Sequence, residues 1–210
     1  PGKDHGIEAE YIVPVLRHLR STRGLIAKPN KIAFCCSKSI PELKAQGHKG
    51  AIAWIKKFEN GVNNKDEPLV DSLKRANHHW YEMKANTLAD FAANINYGDS
   101  LFIARLSKKS FVDQRIIQFI LKDKYKKTDK DILHAIFNST LSLFFIEALG
   151  FGRGLGALDL SKDRVERSLY ILDPSTLGQN EQKEIIDAFA PLLKRERFNL
   201  LEELTQKDSI

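Results

Sequence analysis

The chain has very little cysteine and no long apolar run, and both shortages bound what it can be. Only Cys35 and Cys36 occur in 210 residues. Being adjacent, they are poorly placed for a disulfide and make at most half of a zinc site. Their apolar surroundings favour neutral, inert thiols, and no Cys/His or Ser/His nucleophile pair shows a spacing signal. A reducing cytoplasm suits such a chain. No apolar run reaches the ~18 residues of a spanning helix, and the charged start, residues 1–10, is unlike a signal peptide. No membrane partner is expected. A start methionine is missing too, so the chain reads as processed or as a piece of something longer. With no internal repeat, low-complexity tract or convincing linker, residues 1–210 read as a single domain.

What is present is the composition of a folding chain, 42% hydrophobic and 29% charged, with a formal net charge of +6. That balance favours a polyanionic partner without requiring one. Apolar spacing predicts an α+β fold: a mixed sheet, a long buried helix at about 128–149, and peripheral and C-terminal helices. Leu133, Ile136, Phe137, Thr140, Leu141, Phe144, Phe145 and Ala148 recur at three and four, the period of one buried helical face. Thr128 with Asp129 and Asp131 marks its start, and Gly150 or Gly152 supplies a left-handed stop.

Elsewhere, Ile7, Tyr11, Val15, Leu16 and Leu19 suggest a first helix kinked at Pro14 and ending near Arg23-Gly24. Residues 31–37 read as a strand, 40–46, 50–59 and 67–76 as helices, and 100–106 with 110–121 as a hairpin or neighbouring strands. Residues 157–160 and 167–172 read as strands flanking a charged turn, and 181–194 and 198–204 as closing helices.

Few segments demand chemistry. His78-His79 is a weak metal signal, since adjacent side chains diverge and no third ligand stands at the right spacing. Glu42-x-Lys44 and Glu82-x-Lys84 match half of a metal-dependent nuclease site, which also needs an upstream carboxylate; Asp71 precedes the second match but sits in a helical pattern. The glycines from Gly150 to Gly156 follow a helix and lack a terminal Lys-Ser or Lys-Thr, so they are not a nucleotide loop. Their one charge, Arg153, suits an anion approached closely by backbone. What accumulates is DNA-reading material: Lys84, Arg105, Lys108, Lys109, Gln114, Arg115 and Arg153, with Trp80 and Tyr81 as core residues or stacking contacts. Lysines neutralise phosphates, whereas Arg and Gln can pair with guanine and adenine edges. An ordinary solvated basic face has the same composition.

The order of segments carries a resemblance. Ser100-Leu-Phe-Ile-Ala-Arg-Leu, Lys109-Ser-Phe-Val-Asp-Gln-Arg-Ile, Ile132-Leu-His-Ala-Ile-Phe-Asn-Ser-Thr-Leu, the glycine cluster and Ile171-Leu-Asp-Pro together resemble the target-recognition region of DNA adenine methyltransferases, including those fused to type IIG restriction enzymes. The Asn138-Ser139 pair is the most telling part. The resemblance spans 101–204 and, more loosely, 8–84 through His79-Trp80-Tyr81-Glu82. It implies a sequence-specific double-stranded-DNA recognition domain, the C-terminal portion of a restriction-modification methyltransferase. In that family a separate domain binds S-adenosylmethionine and holds the flipped adenine with an Asn-Pro-Pro-Tyr motif. No such tetrapeptide occurs here, since Asp173-Pro-Ser-Thr lacks the second proline and the aromatic. The resemblance therefore implies a chain without cofactor or catalytic residues, partnered by double-stranded DNA and by the catalytic domain of the same polypeptide. The alternative is a self-contained metal-dependent nuclease using Glu82 and Lys84.

Overall fold

The structure is a computed structural model that describes residues 6–83, 87–98, 100–152 and 158–205. It has mixed α+β content, as expected, and divides into two compact units: residues 1–15 with 31–87, and residues 16–30 with 88–210.

In the first unit, β1 (Ile12–Leu16) pairs antiparallel with β3 (Lys31–Phe34), setting Pro14 opposite Ile32. The expected first helix is instead a 3₁₀ turn at Ala9–Tyr11 followed by β1, with neither helix nor strand over residues 17–23. β-Branched Ile12, Val13 and Val15 prefer extended backbone, and a proline is tolerated at a position whose N–H is not needed by the ladder. Helices α1 (Ile40–Ala45), α2 (Lys49–Glu59) and the short α3 (Leu69–Ser72) follow. Ser39 and Glu42 cap α1 reciprocally. α2 has no capping side chain of its own at His48. Instead the Glu8 carboxylate accepts the N–H groups of Gly50 and Ala51 at 2.9 and 2.8 Å. A Cβ on Gly50 would lie 1.8 Å from the Gly6 carbonyl oxygen, so only glycine lets the two segments meet. Phe34 stacks on Trp54 over a core that includes Tyr11, Leu43, Ile55 and Tyr81.

The second unit is built on a mixed sheet of β2 (Ile26–Ala27), β5 (Ala104–Val112), β4 (Ala89–Asn94) and β6 (Ile116–Phe119). β2 runs parallel to β5, while β4 is antiparallel to both β5 and β6. The expected hairpin of 100–106 and 110–121 is not formed: residues 107–109, expected as the link, lie inside β5, and β6 is separated from β5 by β4, a strand with no β-branched residue to announce it. Its residues 89–93 are fully buried, and small side chains suit a strand enclosed on both faces.

The expected single helix is two: α4 (Lys127–Phe137) and α5 (Thr140–Leu149), bent by 67°. Asp129, rather than Thr128, closes the start of α4 by accepting the Lys126 N–H at 2.7 Å. At the break Ser139 is extended and its hydroxyl accepts the Ser142 N–H, a fresh N-cap. Asn138 fixes the site of the break. Its Oδ1 accepts the Ile103 N–H at 3.0 Å, and its Nδ2 donates to the carbonyls of Ile103 and His134, both at 2.9 Å. α4 is buried between two clusters, giving Ala135 to one with Phe189 and Leu192, and Leu133 and Phe137 to the other with Phe91. The apolar face of α5, expected inside, is largely exposed at Leu141, Phe144 and Phe145. Gly150 ends α5 in extended backbone, φ −65°, rather than in the left-handed region.

Beyond α5, β7 (Phe151–Gly152) pairs with β8 (Leu158–Asp159). Residues 161–166, expected as a charged turn, and the start of the expected strand 167–172 form α6 (Lys162–Ser168) instead, with Ser161 as N-cap and Asp163 in the first turn, and residues 169–172 are not strand. α7 (Gln179–Lys194) and α8 (Leu200–Leu204) complete the unit. No single helix among the described residues is long and apolar enough to cross a membrane.

Candidate nucleic-acid interface

Strand β5 and the turn after it carry most of the proposed contact residues. Between Ala89 and Phe91 the β4–β5 register shifts, and β5 bulges so that Ser107, Lys108 and Lys109 are all exposed. A bulge re-aims side chains that a regular strand would send to alternate faces. Gln114 and Arg115 are exposed in the turn to β6, where Asp113 accepts the Arg115 N–H at 3.0 Å and the Arg115 carbonyl accepts the Ile95 N–H. The Asp113 carboxylate closes the turn locally, and the Ile95 N–H, just beyond β4, ties it to the sheet.

The cations divide by their partners. Arg105 is ion-paired with Asp131 of α4 and only 23% exposed, so it works as a strut between strand and helix. Lys109 stands 3.5 Å from the buried carboxylate of Asp90, which also holds Lys130 at 2.7 Å and accepts the Leu121 N–H at 2.9 Å. Part of its charge is spent within the protein. Lys108 and Arg115 make no ion pair among the described residues, and they, with Gln114, are the groups offered to solvent. Lys84 and Arg153 lie outside the described residues.

Trp80 and Tyr81 belong to the first unit. Tyr81 is buried, its hydroxyl donates to the Lys38 carbonyl at 3.0 Å, and His79 stacks on its ring at 5.0 Å. Burial pushes its hydroxyl pKa up to about 12. It is a core residue, with no ring face left for a base. Trp80 is half-buried against the same core, edge-on to Tyr81.

No residue spacing announces a polar groove of about 690 Å³ in the first unit, lined by Glu10, Tyr11, Lys38, Cys35, His78 and Glu82 among others. Lys38 Nζ reaches Glu10 at 3.1 Å and Gln46 at 2.7 Å, and the Tyr11 hydroxyl bonds His48 Nδ1 at 2.6 Å. Partners this far apart in the chain leave no spacing pattern to read. Burial pushes the thiol pKa of both cysteines up, as inert thiols require. Glu82 lies 3.0 Å from His78 Nδ1 and accepts the His79 N–H at 3.2 Å, while Glu42 is engaged in the α1 cap. No group of three His, Cys, Asp or Glu stands at metal-holding geometry among the described residues.

Comparison with known proteins adds no family: neither a protein-family model nor a curated protein matches the chain.

Proposed function

We propose that the chain is a sequence-specific double-stranded-DNA recognition module of an adenine-specific DNA methyltransferase from a restriction-modification system. It is catalytically silent by itself, and the S-adenosylmethionine chemistry belongs to a catalytic domain of the same polypeptide. One observation carries this reading. The residues behind the resemblance act as framework, with Asn138 bonded to both main-chain groups of Ile103 just before β5, while Lys108, Gln114 and Arg115 stand exposed on the bulge and turn of that same strand. A recognition module needs this division between a rigid scaffold and polar groups presented to solvent.

The test is selection of bound duplexes from a randomised library, followed by salt titrations on the enriched and a scrambled duplex. Enrichment of a defined site is expected. Lys108→Ala should weaken both duplexes alike and lower the salt slope by about one unit. Arg115→Ala should cost about 1–3 kcal/mol on the enriched site and little on the scrambled one. Absence of enrichment, with no duplex bound even at low salt, overturns the proposal.

A further inference from the structure

α5 presents its most apolar side to solvent. Leu141, Phe144 and Phe145 are exposed by 65, 64 and 48%, whereas the inward side offers Ser142 and Ile146. Beside them runs the strap that follows α6, with Tyr170 84% and Leu172 49% exposed. A groove of about 440 Å³ joins the two, lined by Leu141, Phe145, Tyr170, Leu172 and Ile185 among others. At about 200 Å² for each large side chain, this patch exposes roughly 600 Å². That lies at the top of the ~300–600 Å² typical of the largest patch on a monomer, and two copies burying it would reach about 1,200 Å² in total, the lower bound of a specific interface.

We propose that this face pairs with the same face of a second copy of the chain, two α5 helices lying antiparallel across a two-fold axis. The spacing of the seam meets the requirement of pairing with a copy. Leu141, Phe144, Phe145 and Ala148 are placed symmetrically about their own midpoint, so an antiparallel α5 presents the same intervals in reverse, as an isologous contact requires. Charge agrees. Glu184 is the only carboxylate or cation lining the groove, so the face suits neither a duplex nor an acidic partner. Antiparallel pairing also sets Glu147, in the last turn of α5, beside the N-terminal turn of the opposing helix, where a carboxylate is favoured. The inference does not depend on the DNA reading.

Sedimentation equilibrium of the whole chain should give a dimer, twice 23.9 kDa, half-formed at or below about 10 μM. Phe144→Glu and Phe144→Lys should each sediment as monomers with unchanged circular dichroism, and with thermal melts like those of the wild type in dilute protein below the dimer midpoint, where the ring is exposed in both. Mixing the two should restore the dimer, since across a two-fold axis the opposite charges meet. A monomeric wild-type chain at about 200 μM, well above that midpoint, overturns the proposal. So does a dimer that Phe144→Glu leaves intact, open-ended growth beyond the dimer, or a monomer that binds phosphatidylcholine vesicles through Phe144.

Discussion

α4 and α5 come from one uninterrupted apolar stretch yet play opposite parts. α4 is enclosed on most sides and, with its C-cap, carries a histidine and an asparagine side chain into the interior; α5 buries Ser142 and Ile146 and leaves its aromatic side in water. Hydrophobic period alone cannot tell these apart. What distinguishes them is where polar groups find partners: His134 Nε2 lies 3.1 Å from the Leu25 carbonyl and Asn138 binds Ile103. Leu141, Phe144 and Phe145, on the exposed side of α5, have no polar group to tether.

Four measurements test the difference between the two helices. The largest effect concerns His134, 1% exposed and set edge-on to Phe189 at 4.9 Å. Burial, then the nearby Arg105 cation, lower its pKa from 6.5 to about 3. Between those values the unfolded chain binds a proton that the folded chain refuses, so stability present above pH 6.5 is lost as pH falls towards 3. From pH 7 to pH 4 the wild type should lose roughly 3 kcal/mol more than His134→Gln in urea titrations. Equal acid sensitivity would mean that the imidazole is not held neutral.

Next comes Asn138→Leu, which strands both main-chain groups of Ile103 and should cost about 2–4 kcal/mol. A two-state melt within 0.5 kcal/mol of wild type, an approximate margin for surface changes, would remove the reason for the break. Ser139→Ala deletes the cap of α5 and should cost about 1 kcal/mol by the same melts. If it instead stabilised the chain, the two helices would be better joined than broken. Phe144→Ser, on the exposed side, should change the stability of dilute protein by less than about 0.5 kcal/mol. A loss of several times that would show the ring to be packed.

Much of the fold was legible. Apolar period announced α2, α4 and α7, and α1 falls where a short polar helix is expected, at 40–46. The break at Asn138-Ser139 was legible too, because Asn and Ser compete with helical backbone bonds and favour caps, but a continuous apolar period outweighed that signal. Ser161 followed by Asp163 was likewise a helix start that β-propensity downstream obscured. β4 was not legible, since Ala89-Asp-Phe-Ala-Ala-Asn has neither strand propensity nor alternation. Among the cations, residue type gave the inventory and nothing more. Arg105 differs from Arg115 only through Asp131, which reaches it by folding, and Tyr81 differs from a stacking tyrosine only through the core around it.

The Glu8 carboxylate on Gly50 and Ala51 has a consequence for how the first unit assembles. Most helices carry their own starting signal within a few residues, so they flicker into being before anything packs on them. α2 has delegated that signal to a residue about forty positions upstream. Its first turn therefore waits on the closing of a long loop, and secondary and tertiary structure become a single event there. A chain trimmed past Glu8 would keep every residue of α2 and still lose the instruction that says where it begins.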